Sequence, residues 1–142
     1  MIEVRSLVSS LPWSAPWLLR RARTIAKLFA LHPLSDISVV CVPPSFSHEL
    51  NTRYRRKPHP TNVLSFRYAR HRTMNMRLEG ELIVCPAVVV RESRKEGKLV
   101  RSYLDEILVH GMAHLAGYDH AHSRDARRMQ EKEKKILFRL KA

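Results

Sequence analysis

Val100-Arg-Ser-Tyr-Leu-Asp-Glu-Ile-Leu-Val-His110-Gly-Met-Ala-His114-Leu-Ala-Gly117-Tyr-Asp-His120 reads as one long helix that ends in a turn. Leu104, Ile107, Leu108, Val109, Met112 and Leu115 make the segment from about Val100 to Ala116 apolar on almost every side, so it is predicted to be a buried, central helix. His110 and His114 are four residues apart and stand one above the other on one helix face, the spacing that brings two imidazoles to one metal ion. Gly117 can adopt the left-handed conformation that closes a helix, and the chain then turns back so that His120 supplies a third ligand. Three neutral ligands leave a fourth position open. That is the arrangement of a catalytic zinc site rather than a structural one, with one Zn2+ expected per chain. A zinc site of this kind activates water near neutral pH against phosphoryl or acyl centres. His122 is an additional candidate or a solvent-facing neighbour of the trio, while Asp105 and Glu106 are expected to favour the helix N-terminus electrostatically. Glu106, one turn before His110, is also a candidate partner for it.

The elements around this helix alternate in type. Strands are predicted at Ile2 to Leu7, Asp36 to Val42, Asn62 to Phe66 and Glu81 to Cys85. Helices are predicted at Ala15 to Leu31, Ser45 to Tyr54 with Ser45 or Ser47 near the cap, Pro86 to Glu96, and Ser123 to Leu140. The basic segment Arg67 to Arg77 reads as a loop or hairpin connection. The fold class that follows is α+β, an α/β sandwich: a small mixed sheet of about four strands packed with about five helices. No repeat or Gly/Ser linker divides the 142 residues, so one domain over 1–142 is expected.

Charge narrows the partners. There are 26 Lys+Arg against 13 Asp+Glu, a net +13, which points to a polyanion. Cys41 and Cys85 lie in apolar runs without a neighbouring cysteine, and read as buried, reduced thiols. Met1 to Ser10 lacks the features of a secretory signal, and no apolar run reaches the length of a membrane span, so a cytoplasmic protein without membrane contact is expected. The histidine spacing also matches that of metzincin proteases, but their catalytic Glu follows the first His, and here that position is Gly111. Protease activity is thereby the least favoured reading.

His110-Gly-x-x-His114-Leu-x-Gly-Tyr-Asp-His120 resembles the signature of the YbeY family of endoribonucleases and rRNA maturation factors. Leu50-Asn51-x-x-Tyr54-Arg55-x-Lys57-x-x-Pro60-Thr61-Asn62-Val63-Leu64-Ser65-Phe66 is similar to a second segment of that family. Gly80-Glu81 and the tail from Met129 to Leu137, with Glu133 and Ile136, are similar too. The resemblance covers about half the chain. It departs at Ala113 where Leu is usual, at Glu81 where Asp is usual, and at Arg67 where Pro is usual.

The resemblance implies zinc on His110, His114 and His120, a functional arginine at Arg55 lining the same cleft, and single-strand-selective RNA cleavage. It also implies maturation of the 3′ end of small-subunit rRNA, ribosome quality control, and association with the ribosome or small-subunit assembly factors, with no DNA partner. Arg55 and His114 are the expected catalytic residues. A guanidinium forks onto phosphate oxygens, gripping RNA and offsetting charge as a phosphodiester reacts. Thr61, Asn62 and Ser65 are hydrogen-bonding groups beside it, and Asp119 or Glu106 are the available proton acceptors. Basic residues of the last helix (Arg124, Arg127, Arg128, Lys132, Lys134 and Lys135) could guide RNA. The rival class is a non-catalytic zinc-containing ribosome-assembly factor that binds RNA without cutting it.

Overall fold

The computed structural model describes residues 1–68 and 77–141. Along the chain run β1 (Ile2–Ser6), α1 (Ala15–Leu28), β2 (Asp36–Cys41), α2 (Pro44–Arg55), β3 (Val63–Arg67), β4 (Glu79–Val84), α3 (Pro86–Lys95), α4 (Val100–Leu115) and α5 (Ser123–Leu140). This is the α+β fold the sequence predicts. Most of the expected connection from Arg67 to Arg77 lies outside the described residues.

The sheet order is β1-β2-β4-β3. β1, β2 and β4 are parallel, and β3 pairs antiparallel with β4, which leaves β3 at the edge. Side chains alternate between the two faces, as strand geometry requires. Ile37, Val39, Cys41, Val63, Leu82 and Val84 face the main core. Val40, Val42, Leu64 and Ile83 face a smaller cluster covered by Leu50 of α2 and by Phe66.

α4 lies at the centre of the main core, in contact with α1, α3, α5, β3 and β4. Ten of its residues are buried, and Leu104, Leu108 and Met112 are fully enclosed. Truncating any one of these three to Ala should cost about 2–5 kcal/mol. The first turn of α4 carries no acid, so Asp105 and Glu106 do not serve the helix N-terminus as expected; the Asp105 carboxylate instead takes a two-pronged grip from Arg21 of α1, with both N···O distances 2.7 Å, in a largely buried setting. That pair clamps α1 to the helix that carries the histidines.

The predicted cap of α2 needs correction. Pro43 occupies the cap position and Pro44 opens the helix, so neither Ser45 nor Ser47 caps it. Proline fits a first turn because its missing N–H would have had no helical partner there. Ser47 is buried inside α2 instead. Its hydroxyl donates to the Thr61 carbonyl and accepts from the Thr61 N–H, both at 2.9 Å, fixing the chain as it enters β3.

Candidate active site

The site is assembled by the way α4 ends. Gly117 has φ +100°, the Gly117 N–H reaches the His114 carbonyl at 3.1 Å, and the Tyr118 N–H reaches the Ala113 carbonyl at 3.0 Å. This closure reverses the chain just past His114. Asp119 then accepts from the His120 N–H at 2.7 Å and the Ala121 N–H at 3.2 Å, which holds the turn that carries His120 back. Asp119 is therefore occupied as a turn-former.

The three imidazoles come together. Ring centres are 4.8 Å apart for His110 and His114, 5.1 Å for His114 and His120, and 6.1 Å for His110 and His120. Zn–N bonds of about 2.0–2.1 Å at tetrahedral angles place the ring centres of three ligating imidazoles about 5 Å apart. Among the described residues, no three His, Cys, Asp or Glu side chains already have their donor atoms gathered round one point. Turning an imidazole about its broad outer torsion re-aims the nitrogens while barely moving the ring centre, so the spacing and chemistry of the trio fit zinc once the rings turn. His114 suits the role in protonation as well. Burial pushes its pKa down, as do His110 and His120, against a hydrogen bond to the Tyr118 backbone and the charge of Asp119. A neutral imidazole is the form that binds metal.

One expectation about carboxylates changes. Glu106 pairs with Lys98 at 3.0 Å and is not turned to His110. Glu133 of α5 is the acid beside the trio, 3.5 Å from His110 Nδ1 and only 20% exposed. The sequence carried a signal for it: Met129, Glu133 and Ile136 fall on one stripe of α5, and the two apolar members are buried. An acid on a helix's buried stripe is a sign of a specific partner.

Gly111 explains why no acid follows the first histidine. A Cβ there would stand 2.9 Å from Leu82 Cδ2 and 3.3 Å from both Ser65 Oγ and Val63 Cγ2. The position faces the sheet, and Ser65 Oγ donates to the Gly111 carbonyl at 3.0 Å. A side chain at 111 would crowd Leu82, Ser65 and Val63, and the glycine there supplies no metzincin-type base.

Arg55, in the last turn of α2, lines a cavity of about 350 Å3 together with Tyr54, the Val63–Phe66 stretch of β3, His110 and His114. The structure thus brings Arg55 to the same cleft as two of the three histidines. Asn62 is a structural lock: its amide donates to Glu92 at 2.9 Å, and Glu92 also accepts from the Tyr103 hydroxyl at 2.9 Å. His122 is exposed at the cap position of α5 and lies outside the ring trio. On α5, Arg124, Arg127, Arg128, Lys134 and Lys135 are exposed, while Lys132 lies partly buried over the Phe29 ring. The two departures near the cleft also find places. Arg67 Nη1 approaches Gly117, and Glu81 adds to burial in pushing the Tyr68 hydroxyl's pKa up.

Fold and site together define a small α+β protein with a three-histidine centre beside an arginine-lined cleft along an edge strand. A family profile described as Endoribonuclease YbeY matches residues 16–141. The chain belongs to the YbeY endoribonuclease family, and membership carries the coarse assignment of an RNA-cleaving hydrolase of rRNA maturation. The solution structure of a Thermotoga maritima protein is similar over 96% of this chain and 87% of that one, with a TM-score of 0.64 and 26% identity. Among the described residues, no helix is long and apolar enough to cross a membrane.

Proposed function

We propose that the chain is a zinc-dependent, single-strand-selective endoribonuclease that matures the 3′ end of small-subunit rRNA, serves ribosome quality control, and works in the cytoplasm with the ribosome or its small-subunit assembly factors. The observation that carries this reading is the three-histidine cluster, two of whose members, His110 and His114, line the cavity that Arg55 also lines. His110, His114 and His120 would hold one zinc, which when bound supplies a Lewis acid at the reacting phosphodiester. The chain's own groups do the rest. Arg55 forks onto phosphate oxygens, orients the phosphodiester against the histidine wall and offsets the charge that builds on it. Glu133, 3.5 Å from His110 Nδ1, would steady the ring of that ligand. The net charge of +13 draws RNA to the surface, and the exposed cations of α5 lie on the element that also carries Glu133.

Cleavage of a labelled single-stranded RNA and of the same sequence in a duplex, by zinc-loaded wild type and Arg55→Ala, tests this. The expected result is cutting of the single strand well above the duplex, with Arg55→Ala slower by about 100-fold or more at unchanged zinc content. Equal cutting by both proteins would remove Arg55 from the mechanism. Absence of cutting by fully loaded wild type would leave a binding factor for ribosome assembly.

A further inference from the structure

Tyr54 is a large aromatic side chain left 59% exposed in a concave place. It stands in the last turn of α2, next in sequence to Arg55, and both line the cavity that His110 and His114 also reach. Its ring meets Phe66 edge to face, with centres 5.0 Å apart and planes at 73°. Phe66 packs in turn against the buried cluster of Val40, Val42, Leu64 and Ile83, so the pair is anchored to the sheet. An edge-to-face contact uses only part of the Tyr54 surface, and the exposed remainder costs the fold some hydration free energy.

We infer that Tyr54, braced by Phe66, is a stacking platform for one unpaired nucleobase of the substrate, beside the phosphate that Arg55 receives. The inference rests on the endoribonuclease reading and assigns it a subsite. A cavity of about 350 Å3 is at the lower end of the range for small-ligand sites, which suits one base with its phosphate. Its walls divide the work: a π-face for the base, a cation for the phosphate, and imidazoles at the reacting end. A base stacked on Tyr54 has left its neighbours, so a duplex must first break a pair and a stack to use the site, while a single strand does so at little cost. Selectivity for single strands then follows from Tyr54. Because every base has a π-face, the platform gives little preference among bases.

The test is a cycle between protein and substrate, with zinc-loaded full-length protein. A short labelled single-stranded RNA is made with one abasic nucleotide placed in turn at each position around the cut. Cleavage is measured for wild type, Tyr54→Phe and Tyr54→Leu, the last keeping an apolar cover over Phe66. We expect one abasic position to raise KM for wild type by about 5- to 100-fold. Tyr54→Leu should show a similar rise with intact RNA and little further loss at that abasic position, and Tyr54→Phe should behave as wild type. Single-strand over duplex selectivity should shrink in Tyr54→Leu. Wild-type KM in Tyr54→Leu, or abasic losses that simply add to the mutational loss, would overturn the platform while leaving the nuclease standing. Failure of loaded wild type to cut any of these RNAs would remove the endoribonuclease reading and the platform with it.

Discussion

Glu133 shows how much one carboxylate can do from a neighbouring helix. Its carboxylate lies 3.5 Å from His110 Nδ1, close enough to steady that ring where it would hold a metal. Glu133→Gln should therefore weaken zinc binding by about 10- to 100-fold, read by competition against a chromophoric chelator, with the far-UV spectrum unchanged. Unaltered affinity would reduce Glu133 to a packing residue. Cys41 makes a different residue-scale prediction. Burial pushes its thiol up to about 11 from an ordinary value of 9.0. The folded thiol thus keeps its proton when the unfolded one would lose it. This contribution to stability is complete below pH 9.0 and is lost as pH rises toward about 11. Native protein at pH 8 should leave Cys41 unmodified by iodoacetamide, and modification should follow only on unfolding. Rapid labelling of folded protein at that pH would contradict the burial described.

Among the helices, α1, α3 and α4 close in the same way, with the N–H groups of two successive residues turned back to carbonyls five and three residues earlier: Leu31 and Ala30, Lys98 and Gly97, Tyr118 and Gly117. The residue forced to positive φ is glycine in α3 and α4 but Ala30 in α1, at φ 55°. Ala30→Gly should raise stability by up to about 1 kcal/mol, and Gly117→Ala should lower it by about 1–2 kcal/mol, both read by urea denaturation. Gly117→Ala should also weaken zinc binding, since the turn that returns His120 depends on it. The reverse order of stabilities would show that these closures do not limit the helix ends. The closure of α4 was legible because an apolar run, two histidines and a glycine coincide within eighteen residues. The strands were legible as short β-prone runs, to within about two residues. What escaped was set by distant partners: Arg21 meets Asp105 across the core, Glu106 is drawn away by Lys98, and Ser47 serves the entry to β3 rather than the helix cap. Local spacing carries no information about such pairings.

At the scale of the whole molecule, a sheet of three parallel strands with one antiparallel edge puts β3 between the ends of α2 and α4, and that edge is where Arg55 and the histidines meet. The net charge of +13 suits a polyanionic partner. Charge was readable as an RNA-compatible signal from composition, whereas the convergence of Arg55 with His114 was expected only through the family resemblance, because spacing says nothing about the path of the chain between them. The most direct test is zinc content by elemental analysis alongside cleavage of single-stranded RNA, for wild type and His114→Ala purified identically. The account predicts about one zinc per wild-type chain, and loss of both metal and cleavage in a folded His114→Ala. Undiminished cleavage by metal-free His114→Ala would contradict it.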